Sequence, residues 1–272
     1  MKKTIVFTDL DGTLLDYSTY SFDKALPALN ALKQEDIPLV ICSSKTATEI
    51  EYYREKLENR HPFISENGGG IFIPREYFVF DIQTGGYDIT EEGYYSVLRL
   101  GASYSVLRKA IEELRSEGFP IRGFGDMTVE EVAALAGLSL KEAAMAKERD
   151  FDEPFILEGS GMKTRDLLQA IKEKGFSFTE GRFFHLIGNS DKGRAVSILT
   201  AFYRRQFGTL TTLALGDGPN DIPMLREVDY PIIVQRPDGN YDGRIDIPNL
   251  SRADGIGPEG WNRAVNGLIF RA

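Results

Sequence analysis

The chain has 272 residues, 42% of them hydrophobic, and a formal net charge of −9 at neutral pH. That length suits one large domain or two modest ones with a real core, and the acidic balance argues against a nucleic-acid or anionic-membrane surface, which needs a basic stripe. No apolar run approaches the roughly 20 residues that span a bilayer, and the lone Cys42 cannot form an internal disulfide, so a soluble protein of the reducing cytoplasm is expected.

Thr4 to Leu10 reads as a strand buried on both faces of a parallel sheet, and it runs into Thr8-Asp9-Leu10-Asp11-Gly12-Thr13. Two like charges about 4 Å apart repel by roughly 4 kcal/mol at an effective dielectric near 20, so a positive partner is expected between them. Asp23 to Gln34 carries apolar residues at helical spacing, and Pro38 to Ser43 reads as a second buried strand. Cys42 lies in its apolar run and reads as a packed small residue. Thr46 and Glu49 have capping-box spacing, which predicts a helix from Ala47 to about Leu57. This βαβα order implies an α/β fold with a right-handed, doubly wound parallel sheet.

The texture changes near Gln83, where Thr84-Gly85-Gly86 makes a break. Helices are predicted over Ser103–Glu117, Thr128–Ala136, Ser139–Arg149 and Met162–Lys174, with capping boxes at Thr128/Glu131 and Ser139/Glu142. Short strands are predicted over Phe119–Phe124, Phe155–Leu157, Phe176–Thr179 and Phe183–Ile187. This section, 84–188, reads as an α+β module inserted into a core made of 1–83 and 189–272. After Gly188 come a helix from Asp191 to about Gln206, the strand Leu210–Leu215, the turn Gly216-Asp217-Gly218-Pro219-Asn220-Asp221 and an apolar stretch at Ile232–Val234. A junction between such a core and its insertion is a common ligand site.

Strand side chains repeat with period two, so Asp9 and Asp11 start on one side at the carboxyl end of the first strand, where open α/β sheets bind ligands. Asp217 and Asp221 stand at the end of another strand. Four carboxylates at one sheet edge need a hard cation, and oxygen-only ligation points to magnesium. A calcium loop starting at Asp9 fails, because its fifth and twelfth positions hold Thr13 and Tyr20. Ser43 and Ser44 at the end of the second strand and Lys192 at a helix start supply donors for a phosphoryl group. Together these residues form a phosphoryl-transfer site.

In that order and with that long insertion, Asp9-Leu10-Asp11-Gly12-Thr13, Ser43, Lys192, Gly216-Asp217 and Asn220-Asp221 resemble the haloacid dehalogenase superfamily of phosphatases, of the kind with a large Cof-type cap. Ser43-Ser44-Lys45-Thr46, Phe63-Ile64-Ser65-Glu66-Asn67-Gly68-Gly69, Gly123-Phe124-Gly125-Asp126-Met127-Thr128, Arg182-Phe183-Phe184-His185 and Gly257-Pro258-Glu259-Gly260 more narrowly resemble the mannosyl-3-phosphoglycerate phosphatase family. The resemblance implies that Asp9 is the nucleophile and Asp11 the general acid and base. It also implies Mg2+ held by Asp9, Asp217 and the backbone carbonyl of Asp11, with Asn220 and Asp221 orienting ligands or metal-bound water and Ser43 with Lys192 spreading charge on the phosphoryl oxygens. The substrate expected is a mannosyl- or glucosyl-3-phosphoglycerate.

The insertion would close over the site and read the rest of the substrate. Ser44 would help to hold the phosphoryl group, and Lys45, Arg122, Arg165 and Arg182 are candidate partners for a glycerate carboxylate. Glu66, Asn67 and Gly68 are candidates to face sugar hydroxyls, though a structural turn fits those residues as well. His185 reads as a packed strand histidine and Trp261 as the anchor of the last helix. Two alternatives remain: a phosphatase or phosphomutase for another sugar phosphate, and a catalytically silent phosphosugar-binding module. The sequence leaves oligomeric state open.

Overall fold

The structure is a computed structural model and describes residues 2–82, 86–158 and 164–269. Up to Arg99 the chain forms β1 (Lys3–Thr8), α1 (Leu26–Gln34), β2 (Leu39–Cys42), α2 (Ala47–Leu57), β3 (Phe63–Ser65), β4 (Gly70–Pro74), β5 (Ile89–Glu92) and β6 (Tyr95–Arg99). Next come α3 (Tyr104–Ser116), β7 (Ile121–Gly123), α4 (Val129–Ala136), α5 (Leu140–Ala146), β8 (Asp152–Leu157), α6 (Thr164–Glu173), β9 (Ser177–Glu180) and β10 (Phe184–Ile187). The chain finishes with α7 (Lys192–Phe207), β11 (Leu210–Gly216), α8 (Ile222–Arg226), β12 (Tyr230–Gln235), β13 (Ser251–Ile256) and α9 (Pro258–Ile269).

Among the described residues the strands form two sheets. The larger runs β13-β12-β11-β1-β2-β3-β4-β6-β5, parallel from β13 to β3 and antiparallel beyond. In β1, Val6 packs with α1, α2 and α9 on one face, while Ile5 and Phe7 pack with α7 and α8 on the other. Burial on both faces explains why β1 reads as an unbroken apolar run rather than an alternation. Trp261 is fully buried and donates its Nε1 hydrogen to Thr8 Oγ1 at 3.0 Å, so it does anchor α9 against the end of β1.

The second sheet runs β7-β8-β10-β9, all antiparallel. Its residues Phe155 and Leu186 pack against α3 and α6, which leaves the opposite face turned toward the larger sheet. The insertion is shorter than expected. Of the expected break at Thr84-Gly85-Gly86, the first two positions lie outside the described residues. The strands β5 and β6 that follow it belong to the larger sheet, with Ile71 opposite Leu98, so the second body begins after Arg99. A glycine pair marks a turn but does not say to which sheet the next strand returns.

The three expected capping boxes are present at Thr46/Glu49, Thr128/Glu131 and Ser139/Glu142. Start signals were therefore legible to the residue, because each rests on two side chains three positions apart. The predicted strand at Phe155–Leu157 is longer, starting at Asp152, and its added residues include two buried acids, Asp152 and Glu153, that hydrophobicity does not reveal.

Candidate active site

Parallel pairing of β1 with β11, Thr8 opposite Leu215, brings the two acidic turns to the same edge. Asp9 N–H donates to Leu215 O at 2.9 Å, which fixes the first turn against the second strand. Gly12 has φ +79, and a Cβ there would stand 2.8 Å from Asp217 Oδ2, so the turn needs glycine both for its backbone and for the approach of that carboxylate.

The positive partner between the acids is Lys192. It is the first residue of α7, capped by Asp191, and its Nζ lies 2.7 Å from Asp9 Oδ1 and 2.7 Å from Asp221 Oδ1. The other oxygen of Asp221 accepts the N–H groups of Asp217 and Gly218 at 3.0 and 3.1 Å, so a fully buried carboxylate has its hydrogen-bonding capacity used. Asp9, Asp217 and Asp221 each offer an oxygen, all within 4.8 Å of one another.

One lysine does not balance three carboxylates. Burial, and then the neighbouring charges of Asp221 and Asp11, push Asp9 up to about 7 against the pull of Lys192. Asp217 is likewise driven well above the usual carboxylate range by burial, with the charges of Asp221 and Asp9 adding to it. Burial alone would lower Lys192, yet Asp221 and Asp9 outweigh it and hold the ammonium above its ordinary value. An oxygen-only donor set with excess negative charge fits a hard divalent cation.

Asp11 stands apart from that group. Its Oδ2 lies 3.1 Å from Lys45 Nζ, while its Oδ1 is buried with no partner among the described residues. Burial opposes the charge on Lys45, but Asp11 and Glu49 outweigh it and raise its affinity for the proton. Lys45 also faces the rings of Tyr20 and Tyr53 at 5.1 and 5.7 Å. Ser43 is buried, and its Oγ accepts the Lys45 N–H at 3.3 Å; its neighbour Ser44, rather than Ser43, lines the cleft.

A cleft between the two sheets joins Asp9, Asp11, Ser44, Lys45, Asp217 and Asn220 on the floor to Phe124, Leu138, Pro154, Arg182, Phe183 and His185 on the facing wall. Of the arginines expected to meet a carboxylate, Arg182 lies on this wall, with Tyr20 Oη 3.5 Å away. Arg165 does not: it is exposed at the start of α6 and outside the cleft, because the helix turns that face to solvent. Arg122 pairs with Glu131 and Glu158 within the second body.

Glu66 needs the clearest correction. Rather than facing a sugar, its carboxylate accepts the Asp150 N–H at 3.0 and 3.1 Å and the Phe151 N–H at 2.8 Å, tying the loop after β3 to the segment that enters β8. Burial pushes it up to about 8 in spite of Arg149 and those donors. Gly68 serves packing, since a Cβ there would lie 2.1 Å from Asp191 O. Asn67 links both bodies: its Nδ2 donates to Asp152 Oδ2 at 2.7 Å, and its Oδ1 accepts from Asn220 at 3.4 Å. The turn was visible in the sequence, but its partners lie more than eighty residues away.

Sequence reasoning missed several residues here. Arg149 is buried, donates to Ser44 O at 2.8 Å and faces Glu49 at 3.8 Å. Arg236 and Arg244 share Asp242 at the cleft mouth, and Arg244 reaches Glu180 at 3.5 Å. No local signal marks them, for each sits in ordinary polar surroundings along the chain. His185, read as packed, does line the cleft.

A doubly wound sheet bearing paired acidic turns and a lysine at one edge, roofed by an inserted body, defines a capped phosphoryl-transfer hydrolase. The chain belongs to the haloacid dehalogenase-like hydrolase family, whose sequence signature matches residues 6–83 and 160–238. It is 48% identical to a glucosyl-3-phosphoglycerate/mannosyl-3-phosphoglycerate phosphatase of Methanococcoides burtonii over 98% of this chain and 97% of that protein. A mannosyl-3-phosphoglycerate phosphatase of Pyrococcus furiosus is 38% identical over 85% of this chain and 90% of its own length. The fold is also that of Thermoplasma acidophilum protein 0175, with a TM-score of 0.70 at 17% identity and 99% of each chain covered. No described helix is long and apolar enough to cross a membrane.

Proposed function

We propose that the protein hydrolyses the phosphate ester of a glucosyl- or mannosyl-3-phosphoglycerate through an aspartyl-phosphate on Asp9, in the cytoplasm. The observation that carries this reading is the placement of Asp9, Asp11 and Asp217 on the floor of a cleft whose facing wall carries Arg182, with Lys192 and Asp221 buried behind Asp9. A Mg2+ held by Asp9, Asp217 and the backbone carbonyl of Asp11, with Asp221 fixing the turn behind them, would screen the substrate's negative charge from the attacking carboxylate. Asn220, hydrogen-bonded to Asn67, would steady the turn that presents those ligands.

Asp9 attacks phosphorus with a carboxylate oxygen, and the bond from phosphorus to the 3-oxygen of the glycerate breaks. Asp11 delivers its proton to that oxygen, then takes a proton from the water whose oxygen attacks phosphorus, which breaks the phosphorus–oxygen bond to Asp9 and releases inorganic phosphate. Lys192 holds Asp9 in place from Oδ1, and Lys45 orients Asp11 from Oδ2. Ser44, on the cleft floor, offers its hydroxyl to a phosphoryl oxygen. Arg182 lines the same cleft and matches the glycerate carboxylate in shape and charge.

Phosphate release measured on mannosyl-3-phosphoglycerate, glucosyl-3-phosphoglycerate and simple hexose phosphates tests this reading, with Mg2+ present and after EDTA. The glycosyl phosphoglycerates should be turned over best, and only with the cation. Best turnover of a simple hexose phosphate, or equal turnover after EDTA, would overturn it.

A further inference from the structure

His185 lines the cleft, and the proposed chemistry gives it no role. It sits on β10, where Ile187 lies opposite Asp152 of β8, so the period of two puts His185 and Asp152 on the same face of the second sheet. That face looks onto the cleft. Nδ1 of His185 lies 2.8 and 3.0 Å from the two oxygens of Asp152, and Asp152 is fully buried and also accepts from Asn67. A carboxylate in that position requires a hydrogen on Nδ1. In the neutral imidazole this leaves Nε2 as a lone-pair acceptor, and Nε2 has no hydrogen-bond partner among the described residues.

The neighbours of His185 define what it can accept from. Phe124 and Phe183 meet edge to face at 5.1 Å, and with Leu138 and Pro154 they make an apolar surface beside the imidazole. A group that packs C–H bonds on this surface while pointing a hydroxyl at a single acceptor is a pyranose ring. We propose that His185 is a specificity-determining residue, its Nε2 accepting a hydrogen bond from a hydroxyl of the sugar in the leaving group, with Asp152 fixing the tautomer that makes it an acceptor. This rests on the reading of the cleft as the site of a sugar-bearing phosphate ester, and it assigns His185 no part in proton transfer, which Asp11 performs.

The test is a ratio: kcat/KM on the glycosyl substrate divided by kcat/KM on p-nitrophenyl phosphate, which carries no sugar. In His185→Ala that ratio should fall roughly tenfold or more, the loss of about one hydrogen bond and its packing. A ratio within twofold of wild type, or equal falls on both substrates, would overturn the inference, since a merely structural histidine moves both. Should the alanine variant unfold, His185→Phe keeps the ring volume without an acceptor and should lower the ratio in the same direction. The full set of substrates is run with each variant. If wild type prefers a simple hexose phosphate, the phosphoglycerate reading fails alone, and the ratio taken with that hexose phosphate still decides the role of His185.

Discussion

The floor and the wall of the cleft are built differently. On the floor, Lys192 meets Asp9 and Asp221 at 2.7 Å with all three side chains buried. Across the wall and mouth, Arg182 reaches Tyr20 and Arg244 reaches Glu180 only at 3.5 Å, and the Arg244–Glu180 side chains are half exposed. Chemistry that must hold charges in fixed positions sits where water cannot relax them, whereas the contacts of Arg182 with Tyr20 and of Arg244 with Glu180 break at little cost. The two regions should therefore respond to mutation on different scales.

The sharpest break in this contrast would come from the floor. Asp9→Asn should lower kcat on the order of 10⁴-fold or more, because it removes the proposed nucleophile. Retained turnover in a phosphate-release assay would dissolve the distinction between floor and wall. Lys192→Met should lower activity as well and, in protein stripped of metal by EDTA, destabilise the fold by about 3–5 kcal/mol in urea titration, since two buried carboxylates lose their shared cation.

The hinge between the regions gives an intermediate effect with a pH signature. Glu66 has a folded value near 8 against an ordinary 4.5, so the folded protein binds the extra proton between those values. Its contribution to stability is full below about 4.5 and is lost as pH rises through about 8. Unfolding free energy measured from pH 5 to 9 should fall more steeply in wild type than in Glu66→Gln; parallel curves would remove Glu66 as the titrating hinge.

Wall substitutions should be smaller. Arg182→Ala should raise KM for a glycosyl phosphoglycerate by roughly tenfold, the loss of one charged hydrogen-bonding partner, with less effect on hexose phosphates that carry no carboxylate. Smallest of all, Glu180→Ala, which removes only the half-exposed pair with Arg244, should change stability by no more than about 1 kcal/mol. An effect of several kcal/mol there would mean that the mouth is as tightly organised as the floor.

Much of the fold and half of the site were legible along the chain. The acidic turns after β1 and β11, the lysine opening α7 and the capping boxes are local patterns, each carried by residues within a few positions of one another. Arg165 and Glu66 were misplaced for opposite reasons. The helix of α6 gives an arginine no reason to turn inward, and a buried glutamate looks the same in sequence whether it holds a ligand or a backbone segment. Arg149 and the Asp152–His185 pair gave no signal, since burial of a charge follows from what folds over it.

The sequence alone determined which strands end in carboxylates, where helices begin, and the family to which the chain belongs. Only the tertiary structure decided that Lys192 reaches across 183 positions to Asp9, that Glu66 clasps the second body, that β5 and β6 return to the first sheet, and that His185 opens onto the cleft. Periodicity and caps are written by neighbours in the chain, but a buried charge is placed by its distant partner, and that pairing exists only once both segments have packed.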